Sequence, residues 1–289
     1  MLYNEKYYTL ITGGSSGIGR ALAFECAARK MNLLLVALPG KELALTGKAI
    51  MKKHQVTVHT FETDLRKPES PEQVYKWCRE NHFRVNMLIN NAGVAGTSVF
   101  EESSIEYNDD RIQLNIRALV TLSHLFIPHM KTLPEAFILN VASLSAFYAI
   151  PYKSIYSASK AFVVSFSKSI REELRNTPVQ VSVVCPNGVG TNQGTHTRIK
   201  AHGYKGRVTQ ISPENLAILS IKETLKGKRV IIPGRINRGL FILGNLIPGS
   251  IKQRLLAREF RKELKTRING DRKKNLNDIT TKVYSNQSL

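Results

Sequence analysis

Cysteine is scarce in this chain of 289 residues, which contains three of them. Cys26, Cys78 and Cys185 are odd in number and far apart, and they form no CxxC or Cys/His pattern. This spacing excludes a disulfide framework and a cysteine-based zinc site, and no metal site of any kind is expected. We expect the three side chains to be buried thiols of a reducing compartment.

The chain also lacks a long hydrophobic run. Its longest strongly apolar segment, 240–248, contains Gly244 and Asn245 and is too short to span a bilayer. Near the start, Glu5 and Lys6 stand where a signal peptide has its apolar core. We therefore expect a cytoplasmic protein that is neither secreted nor membrane-spanning.

Acidic residues are few, since 22 Asp and Glu stand against 42 Lys and Arg, and the formal net charge is +20. Residues 1–192 carry 21 basic and 16 acidic residues, a net +5, whereas residues 193–289 carry 21 and 6, a net +15. The basic last third predicts attraction to something anionic: nucleic acid, anionic lipid or a phosphorylated substrate.

Short apolar runs alternate with longer amphipathic stretches along most of the sequence. Strands are predicted at 7–12, 33–37, 56–60, 85–90, 136–141, 179–185 and 229–232. Helices are predicted at 17–30, 41–53, 70–81, 103–127, 157–176 and 213–226. Runs such as LLLV and VSVVC are typical of strands buried on both faces. The alternation predicts an α/β fold with a doubly wound, mainly parallel seven-stranded sheet over residues 1–234. A basic, helical extension is predicted over 235–289.

The first strand is followed by a glycine-rich turn, TGGSSGIG, that opens the first helix. Glycines allow a tight turn and let the backbone approach a pyrophosphate at the positive helix N-terminus. Many glycine-rich stretches are only flexible turns, and three residues separate Gly13 from Gly17, which differs from GxGxxG. The position between a buried strand and a helix nevertheless predicts a dinucleotide site.

This turn resembles the cofactor loop of the short-chain dehydrogenase/reductase family. Six further motifs follow in the family's order: ETDL, NNAG, QLNIRAL, NVASLSA, YSASK and PNGVGT. The resemblance covers about residues 7–233, and the branch it suggests is that of ketone, hydroxysteroid or long-chain oxoacyl reductases. It implies a Rossmann-type catalytic domain that transfers hydride between a nicotinamide and a carbonyl or secondary alcohol.

The candidate catalytic residues are Asn115, Ser143, Tyr156 and Lys160. Tyr156 and Lys160 are four residues apart, so on a helix they share one face. A phenol has a pKa of about 10, and a neighbouring ammonium lowers it toward neutrality. The resemblance implies that Ser143 holds the substrate oxygen, that Asn115 keeps a water in a proton relay, and that Lys160 also bonds the nicotinamide ribose. An isolated Tyr/Lys pair usually covers a helix surface, but the joint occurrence of all four favours catalysis.

The resemblance also implies a set of cofactor contacts, with Asp64 near the adenine. The predicted residues are Gly13, Ser15, Ser16, Gly17, Ile18, Gly19, Asp64, Leu65, Asn91, Ala92, Gly93, Tyr156, Lys160, Pro186, Val189 and Thr191. No acid ends the second strand, which favours NADP(H) over NAD(H). The arginine that many relatives carry is replaced by Leu38, and Lys41 either reaches a 2′-phosphate or is solvated. Asn187 replaces a glycine of the family pattern, and asparagine tolerates left-handed backbone geometry.

The expected substrate is a small hydrophobic carbonyl compound, since the segment after Ser143 is apolar and aromatic. The basic loop 192–211 is interpreted either as a solvated lid or as a lid for a carrier-bound acyl group. The family resemblance implies a homodimer or homotetramer that associates through helices 103–127 and 157–176.

A different class of function is a catalytically idle dinucleotide-fold protein whose basic C-terminus binds nucleic acid or an anionic membrane. The intact catalytic set argues against it, and nucleic acid is not expected.

Between 250 and 268, one helix face is apolar and carries Leu256, Ala257, Phe260, Leu264 and Ile268. The opposite face carries Arg254, Arg258, Arg261, Lys262 and Lys265. Packing on its own domain or on a partner subunit is the favoured interpretation, and peripheral contact with a membrane is the alternative.

Overall fold

A computed structural model describes residues 7–190, 210–246, 249 and 251–264. Its centre is a parallel sheet with the strand order β3-β2-β1-β4-β5-β6-β7. The strands are β1 Tyr7–Thr12, β2 Asn32–Ala37, β3 Val58–Glu62, β4 Arg84–Asn90, β5 Ala136–Val141, β6 Val179–Val184 and β7 Val230–Ile231. The strand order reverses between β1 and β4, which is where doubly wound sheets open a ligand crevice. The predicted fold class is therefore confirmed.

Helices cover both faces of the sheet. They are α1 Gly17–Ala28, α2 Lys41–His54, α3 Ser70–Glu80, α4 Ile105–Ile112, α5 Ala118–Met130, α6 Ser154–Glu173, α7 Pro213–Leu225, α8 Arg235–Leu246 and α9 251–264. The apolar sides of α1, α2 and α7 pack on one face of the sheet. Those of α3, α5 and α6 pack on the other. The result is a three-layer sandwich whose loops at the carboxyl ends of the strands are left to form a site.

Most predicted elements agree with the structure to within one to three residues, and two differences have a local cause. The third strand begins at Val58 rather than residue 56, because Gln55 ends α2 in a left-handed conformation (φ 56°) and the Thr57 N–H bonds to Asn32 Oδ1. The predicted helix 103–127 is split by a π-helical turn, Gln113–Arg117, between α4 and α5. A π turn inserts one extra residue into a helix and is frequent at functional sites.

The three cysteines are free and buried, as predicted. Burial raises the pKa of Cys78 and of Cys185 to about 12, so both are protonated thiols at neutral pH. Among the described residues, no cluster of metal-ligating side chains is found. Within the same part of the chain, no helix combines the length and apolar character that crossing a bilayer requires.

The C-terminal helices α8 and α9 pack against the rest of the molecule. The predicted amphipathic pattern of 250–268 agrees with the burial along α9, where Leu256 and Phe260 are partly covered while Arg254 and Arg258 are exposed. Ile268 and Lys265 lie outside the described residues. The division of the chain at residue 234 stays a prediction.

Candidate active site

A cavity of about 900 Å³ opens at the carboxyl ends of the strands. The residues directly after β1 to β6 line it, and a further wall comes from α6 and α9. Of the predicted cofactor contacts, Gly13, Ser15, Ser16, Gly17, Ile18, Gly19, Asp64, Leu65, Asn91, Ala92, Gly93, Tyr156, Lys160, Pro186 and Val189 line this cavity. Thr191, and residues 192–209 of the predicted lid, lie outside the described residues.

The glycine-rich turn bends sharply between β1 and α1. Gly13 has a φ of +69°, a conformation that residues with a Cβ rarely adopt. A Cβ on Gly19 would lie 2.1 Å from the Gly13 carbonyl oxygen, so only glycine lets the first turn of α1 fit under the loop. Ser16 ends the turn without capping α1 through its side chain. The N-terminal end of α1 therefore faces the cavity as an anion-binding end.

The NNAG segment holds this turn in place. The Asn91 side-chain amide donates to the carbonyl oxygen of Thr12 at 2.8 Å. The Thr12 hydroxyl accepts from the backbone N–H groups of Asn91 and Ala92, each at 3.0 Å. Two turns that are nearly 80 residues apart in sequence are thus joined into one rigid edge of the cavity.

Three of the four predicted catalytic residues line the same cavity: Ser143, Tyr156 and Lys160. Ser143 follows β5 and caps a short 3-10 helix, Leu144–Phe147, by accepting a bond from the Ser145 N–H. Tyr156 and Lys160 lie one turn apart at the start of α6. The Lys160 ammonium is 6.0 Å from the centre of the Tyr156 ring. The structure therefore brings these residues together around the carboxyl end of β5.

Lys160 is almost fully buried, and its Nζ donates to the carbonyl oxygen of Val141 at 2.9 Å. Burial lowers the pKa of Lys160 to about 8, because the charged ammonium loses hydration. A lysine in this state can change protonation close to neutral pH, as a residue in a proton-transfer site can.

Asn115, the fourth predicted residue, lies behind the cavity wall in the π-helical turn. It is 1% exposed, and its side chain bonds to both the N–H and the carbonyl of Val94, at 2.8 and 3.0 Å, and to the Ser159 hydroxyl. A Cβ on Gly93 would lie 3.1 Å from Asn115 Oδ1 and 3.3 Å from Lys160 Nζ. Through its hydrogen bonds to Val94, the Asn115 side chain holds the NNAG segment beside Lys160.

The other end of the cavity is lined by Leu38, Asp64 and Arg66. Arg66 pairs with Asp64 at 2.6 Å and with Asp110 at 2.7 Å. The hydrogen bond from the Arg66 guanidinium lowers the pKa of Asp64, which therefore stays ionised. Lys41 is exposed at the start of α2 and is not among the residues that line the cavity.

Asn187, which departs from the family pattern, has a partner in the C-terminal extension. Its side-chain amide donates to Asn237 Oδ1 at 3.1 Å, and Asn237 in turn donates to the Pro233 carbonyl. Asn237 is on α8 and is 3% exposed. The asparagine therefore connects the turn after β6 to the first C-terminal helix.

The C-terminal helix α9 contributes a wall that the motifs did not predict. Leu256, Phe260 and Glu263 line the cavity together with Lys153 of the α6 N-terminus. Glu263 is 4% exposed; its Oε1 lies 3.0 Å from Lys153 Nζ and accepts a bond from the buried Thr97 hydroxyl at 2.7 Å. The apolar stripe of α9 was visible in the sequence, but nothing there indicated that it faces the cavity.

These features fit a dinucleotide. A glycine turn, a helix N-terminus directed at the cavity and a long cleft across the strand-order reversal together match the demands of a pyrophosphate flanked by two nucleosides. Gly13 to Gly19 would hold the pyrophosphate, and Lys160 is placed where it could bond a ribose.

The chain matches known proteins along most of its length. The family described as short chain dehydrogenase matches residues 8–201. The uncharacterized oxidoreductase DltE of Bacillus subtilis is 34% identical over 235 residues, which is 78% of this chain and 88% of that protein. The rat 17-beta-hydroxysteroid dehydrogenase type 3 is 29% identical over 277 residues, 90% of this chain and 84% of that protein.

The fold is also similar to solved structures. A short-chain dehydrogenase from Sphingobium yanoikuyae in complex with NADPH is 28% identical, with a TM-score of 0.72. The match covers 83% of this chain and 93% of that chain.

Proposed function

The chain belongs to the short-chain dehydrogenase family of oxidoreductases that act on alcohol and ketone groups, and we propose that it interconverts a hydrophobic ketone and its secondary alcohol with NADP(H). One observation carries the proposal. The catalytic candidates Ser143, Tyr156 and Lys160 line a single cavity with the glycine turn, and the same cavity has apolar walls.

In the proposed mechanism Tyr156 is the general acid of the reduction. The Ser143 and Tyr156 hydroxyls donate hydrogen bonds to the carbonyl oxygen, which polarises the carbonyl and fixes its orientation. When bound, the nicotinamide supplies the hydride that the carbonyl carbon receives. The carbonyl oxygen then takes the phenolic proton, and the Lys160 ammonium stabilises the phenolate that is left. Alcohol oxidation runs through the same residues in reverse.

Asn115 acts as a positioning residue in this proposal. Its side chain is bonded to the backbone of Val94 and to Ser159, so it holds the segment that borders Lys160. A proton relay through a water at Asn115, as the family resemblance implies, stays a prediction.

The proposed substrate is hydrophobic because apolar and aromatic residues provide much of the substrate side of the cavity, where the charges of Lys153 and Glu263 are paired with each other. The apolar and aromatic residues are Leu144, Tyr148, Ile150, Leu256 and Phe260. Such walls favour an extended apolar ketone, and an oxoacyl group is a second form of the same chemistry. The name of the rat relative is a reason to include steroid ketones in a substrate panel.

The proposed preference for NADP(H) is supported by the end of β2, where Ala37 and Leu38 provide no carboxylate for a ribose 2′-hydroxyl. Arg66 lies in the cavity wall at this end, whereas Lys41 does not. We therefore expect Arg66→Ala to weaken NADPH binding more than NADH binding, and Lys41→Ala to have little effect. Equal dissociation constants for NADPH and NADH in a fluorescence titration would contradict the preference.

Association into a dimer or tetramer is proposed through α4, α5 and α6. Ile105 is 83% exposed, and Phe162 is 40% exposed and stacked on Phe166. Large apolar side chains exposed on neighbouring helices are typical of an interface. Sedimentation of Phe162→Glu should show smaller particles than the unmodified chain if this surface is used.

The deciding experiment is a panel of carbonyl compounds, including steroid ketones, long-chain oxoacyl thioesters and small polar aldehydes, assayed with NADPH and NADH by absorbance. We expect oxidation of NADPH with apolar ketones and little with polar aldehydes. A preference for small polar aldehydes would show that the apolar walls do not select the substrate.

A further inference from the structure

The outer face of α9 combines basic and aliphatic side chains. At 100° per residue, Ile251 and Leu255 lie within 40° of each other, and the same outward strip, about 100° wide, carries Arg254, Arg258 and Lys262. Ile251 is 52% exposed and Leu255 is 54% exposed. The two acids of this helix are excluded from the strip, because Glu263 is buried and Glu259 is partly covered.

The preceding helix in the sequence, α8, also has an exposed face with basic and aliphatic side chains. Arg235, Arg238 and Ile242 share one face and are exposed, with Ile242 at 62%. The opposite side of α8 is fixed to the domain, since Asn237 bonds to Asn187 and the Phe241 ring packs edge-on against Phe147 with ring centres 4.6 Å apart.

The inner face of α9 is fixed as well. Glu263 bonds to Thr97 and pairs with Lys153, and the Lys153 ammonium lies 4.8 Å from the centre of the Phe260 ring. At the edge of the helix, Arg261 Nε donates to the Tyr152 hydroxyl. The apolar face of α9 therefore packs against the rest of the molecule, and these contacts fix the orientation of the outward strip.

We propose that the outward faces of α8 and α9 bind the anionic surface of a lipid bilayer, with Ile242, Ile251 and Leu255 entering the headgroup region. Exposed aliphatic residues flanked by arginine and lysine are what such a surface favours, because each basic residue gains attraction and each aliphatic side chain leaves water. Single exposed apolar residues are ordinary, but Ile242, Ile251 and Leu255 each share an exposed helix face with arginine, and we call these two faces together the patch.

Charge and residue type favour an anionic lipid surface over two other partners, a second copy of the chain and single-stranded nucleic acid. A second copy meeting the same patch across a two-fold axis would place the arginines of one protomer near those of its partner, which is repulsive. Single-stranded nucleic acid is held by stacking on aromatic side chains, and Phe260, the one aromatic residue of α9, faces the cavity. An anionic lipid surface matches both the charge and the aliphatic residues.

The proposal also has a consequence for access to the cavity. Leu256 and Phe260 line the cavity from the inner side of the helix whose outer side carries Ile251 and Leu255. A helix with its side chains is about 10 Å across. A bilayer on the outer face would therefore lie about one helix diameter from the cavity, a short path for an apolar ligand dissolved in lipid.

The test is co-sedimentation of the full chain with vesicles, in the absence of substrate and cofactor, so its result does not depend on the proposed enzymatic reaction. One set of vesicles contains phosphatidylcholine alone, and the other adds phosphatidylserine to about a third of the lipid. We expect binding to the anionic vesicles at low salt, release at high salt, and no binding to the neutral ones.

Substitutions distinguish the described faces from the other basic parts of the chain. Arg254→Gln with Arg258→Gln should lower the partition coefficient by about 30-fold, and Leu255→Gln by about tenfold. The matched controls are on α2, where Lys48, Lys52 and Leu45 are exposed and Leu45 is 54% exposed, the same as Leu255. Lys48→Gln with Lys52→Gln, and Leu45→Gln, should each change the partition coefficient less than twofold.

Several outcomes would overturn the proposal. The first is binding to neutral vesicles as strong as binding to anionic ones. The second is a loss of binding in the α2 controls as large as that in the α9 variants. The third is unchanged vesicle binding in both α9 variants, with melting temperatures that show they are folded. Binding of the unmodified chain to DNA with losses in the α9 variants, or a change of oligomeric state in those variants alone, would assign the patch to nucleic acid or to a second copy. Because the salt series uses the unmodified chain, the proposal can be tested even if a variant fails to fold.

Discussion

The two halves of the cavity are built in different ways. The cofactor half consists of turns that directly follow strands, and each turn matches a short motif such as TGGSSGIG or NNAG. The substrate half depends on α9, whose Leu256, Phe260 and Glu263 come from more than 90 residues beyond Tyr156. Local motifs therefore encode the chemistry, and a distant helix shapes the space in which the substrate lies.

The largest expected effect concerns the chemistry itself. Tyr156→Phe removes the proposed acid, and we expect turnover to fall by about 10³-fold, since a positioned acid contributes about 10² to 10⁴. The dissociation constant for NADPH and the melting temperature should change little. The control is Tyr148→Phe, which removes the hydroxyl of another cavity tyrosine. If Tyr156→Phe keeps a tenth of wild-type turnover, this tyrosine is not the acid.

The next largest effect tests whether a substitution in the substrate half of the cavity leaves the cofactor half unchanged. Glu263→Ala leaves Lys153 without its buried carboxylate partner, and removal of one member of a buried pair costs about 3 kcal/mol. We expect a lower melting temperature and a higher KM for the ketone, while the dissociation constant for NADPH stays within about twofold. The double variant Lys153→Met with Glu263→Leu should recover most of the stability. A parallel loss of NADPH affinity would show that the halves are not independent.

Lys160 provides a third test, because loss of its proton should raise the stability of the fold and lower the activity. The folded-state pKa of Lys160 is about 8, below the value of 10.5 for an unperturbed lysine. Between these values the unfolded chain holds more protons, so the free energy of unfolding should rise with pH from about 8 to 10.5. The reduction rate should fall earlier, as pH rises through about 8, since the folded enzyme loses its Lys160 ammonium there.

Lys160→Met should therefore raise the stability at pH 7 by about 1 to 3 kcal/mol while activity is lost. It should also flatten the pH dependence of unfolding above pH 8. Lys168→Met, an exposed change on the same helix, is the control and should leave both measurements unchanged. Lower stability of Lys160→Met at pH 7 would mean that the bond to Val141 outweighs the cost of burying the charge.

The smallest effect concerns the link between the turn after β6 and the C-terminal extension. Asn187→Ala and Asn237→Ala should each destabilise the fold, with a coupling energy of about 1 kcal/mol in a double-mutant cycle. Chemical denaturation of the unmodified chain, the two single variants and the double variant measures this coupling energy. If the two substitutions change the free energy of unfolding additively, the extension is held by α9 rather than by this hydrogen bond.

Much of the cofactor half could be predicted because its signals are local. Buried parallel strands are continuous apolar runs, and a turn with φ above zero demands glycine, so both can be identified residue by residue. Ser143 lies just after β5, Tyr156 and Lys160 lie in the first turns of α6, and the structure brings all three to one cavity. The motif identifies Asn115 as a candidate, but only the tertiary structure shows that it does not line the cavity and that its side chain bonds to Val94 and Ser159 from the π-helical turn.

The contacts of the substrate half could not be predicted in the same way. The sequence by itself determined that 250–268 is amphipathic, because helical spacing alone sorts its apolar and basic residues. Only the tertiary structure decided that the apolar side closes the cavity, that Glu263 meets Lys153 and Thr97, and that Asn237 meets Asn187. The physical reason is that periodicity specifies which face of a helix is buried, whereas the surface that covers that face depends on packing between residues far apart in the chain.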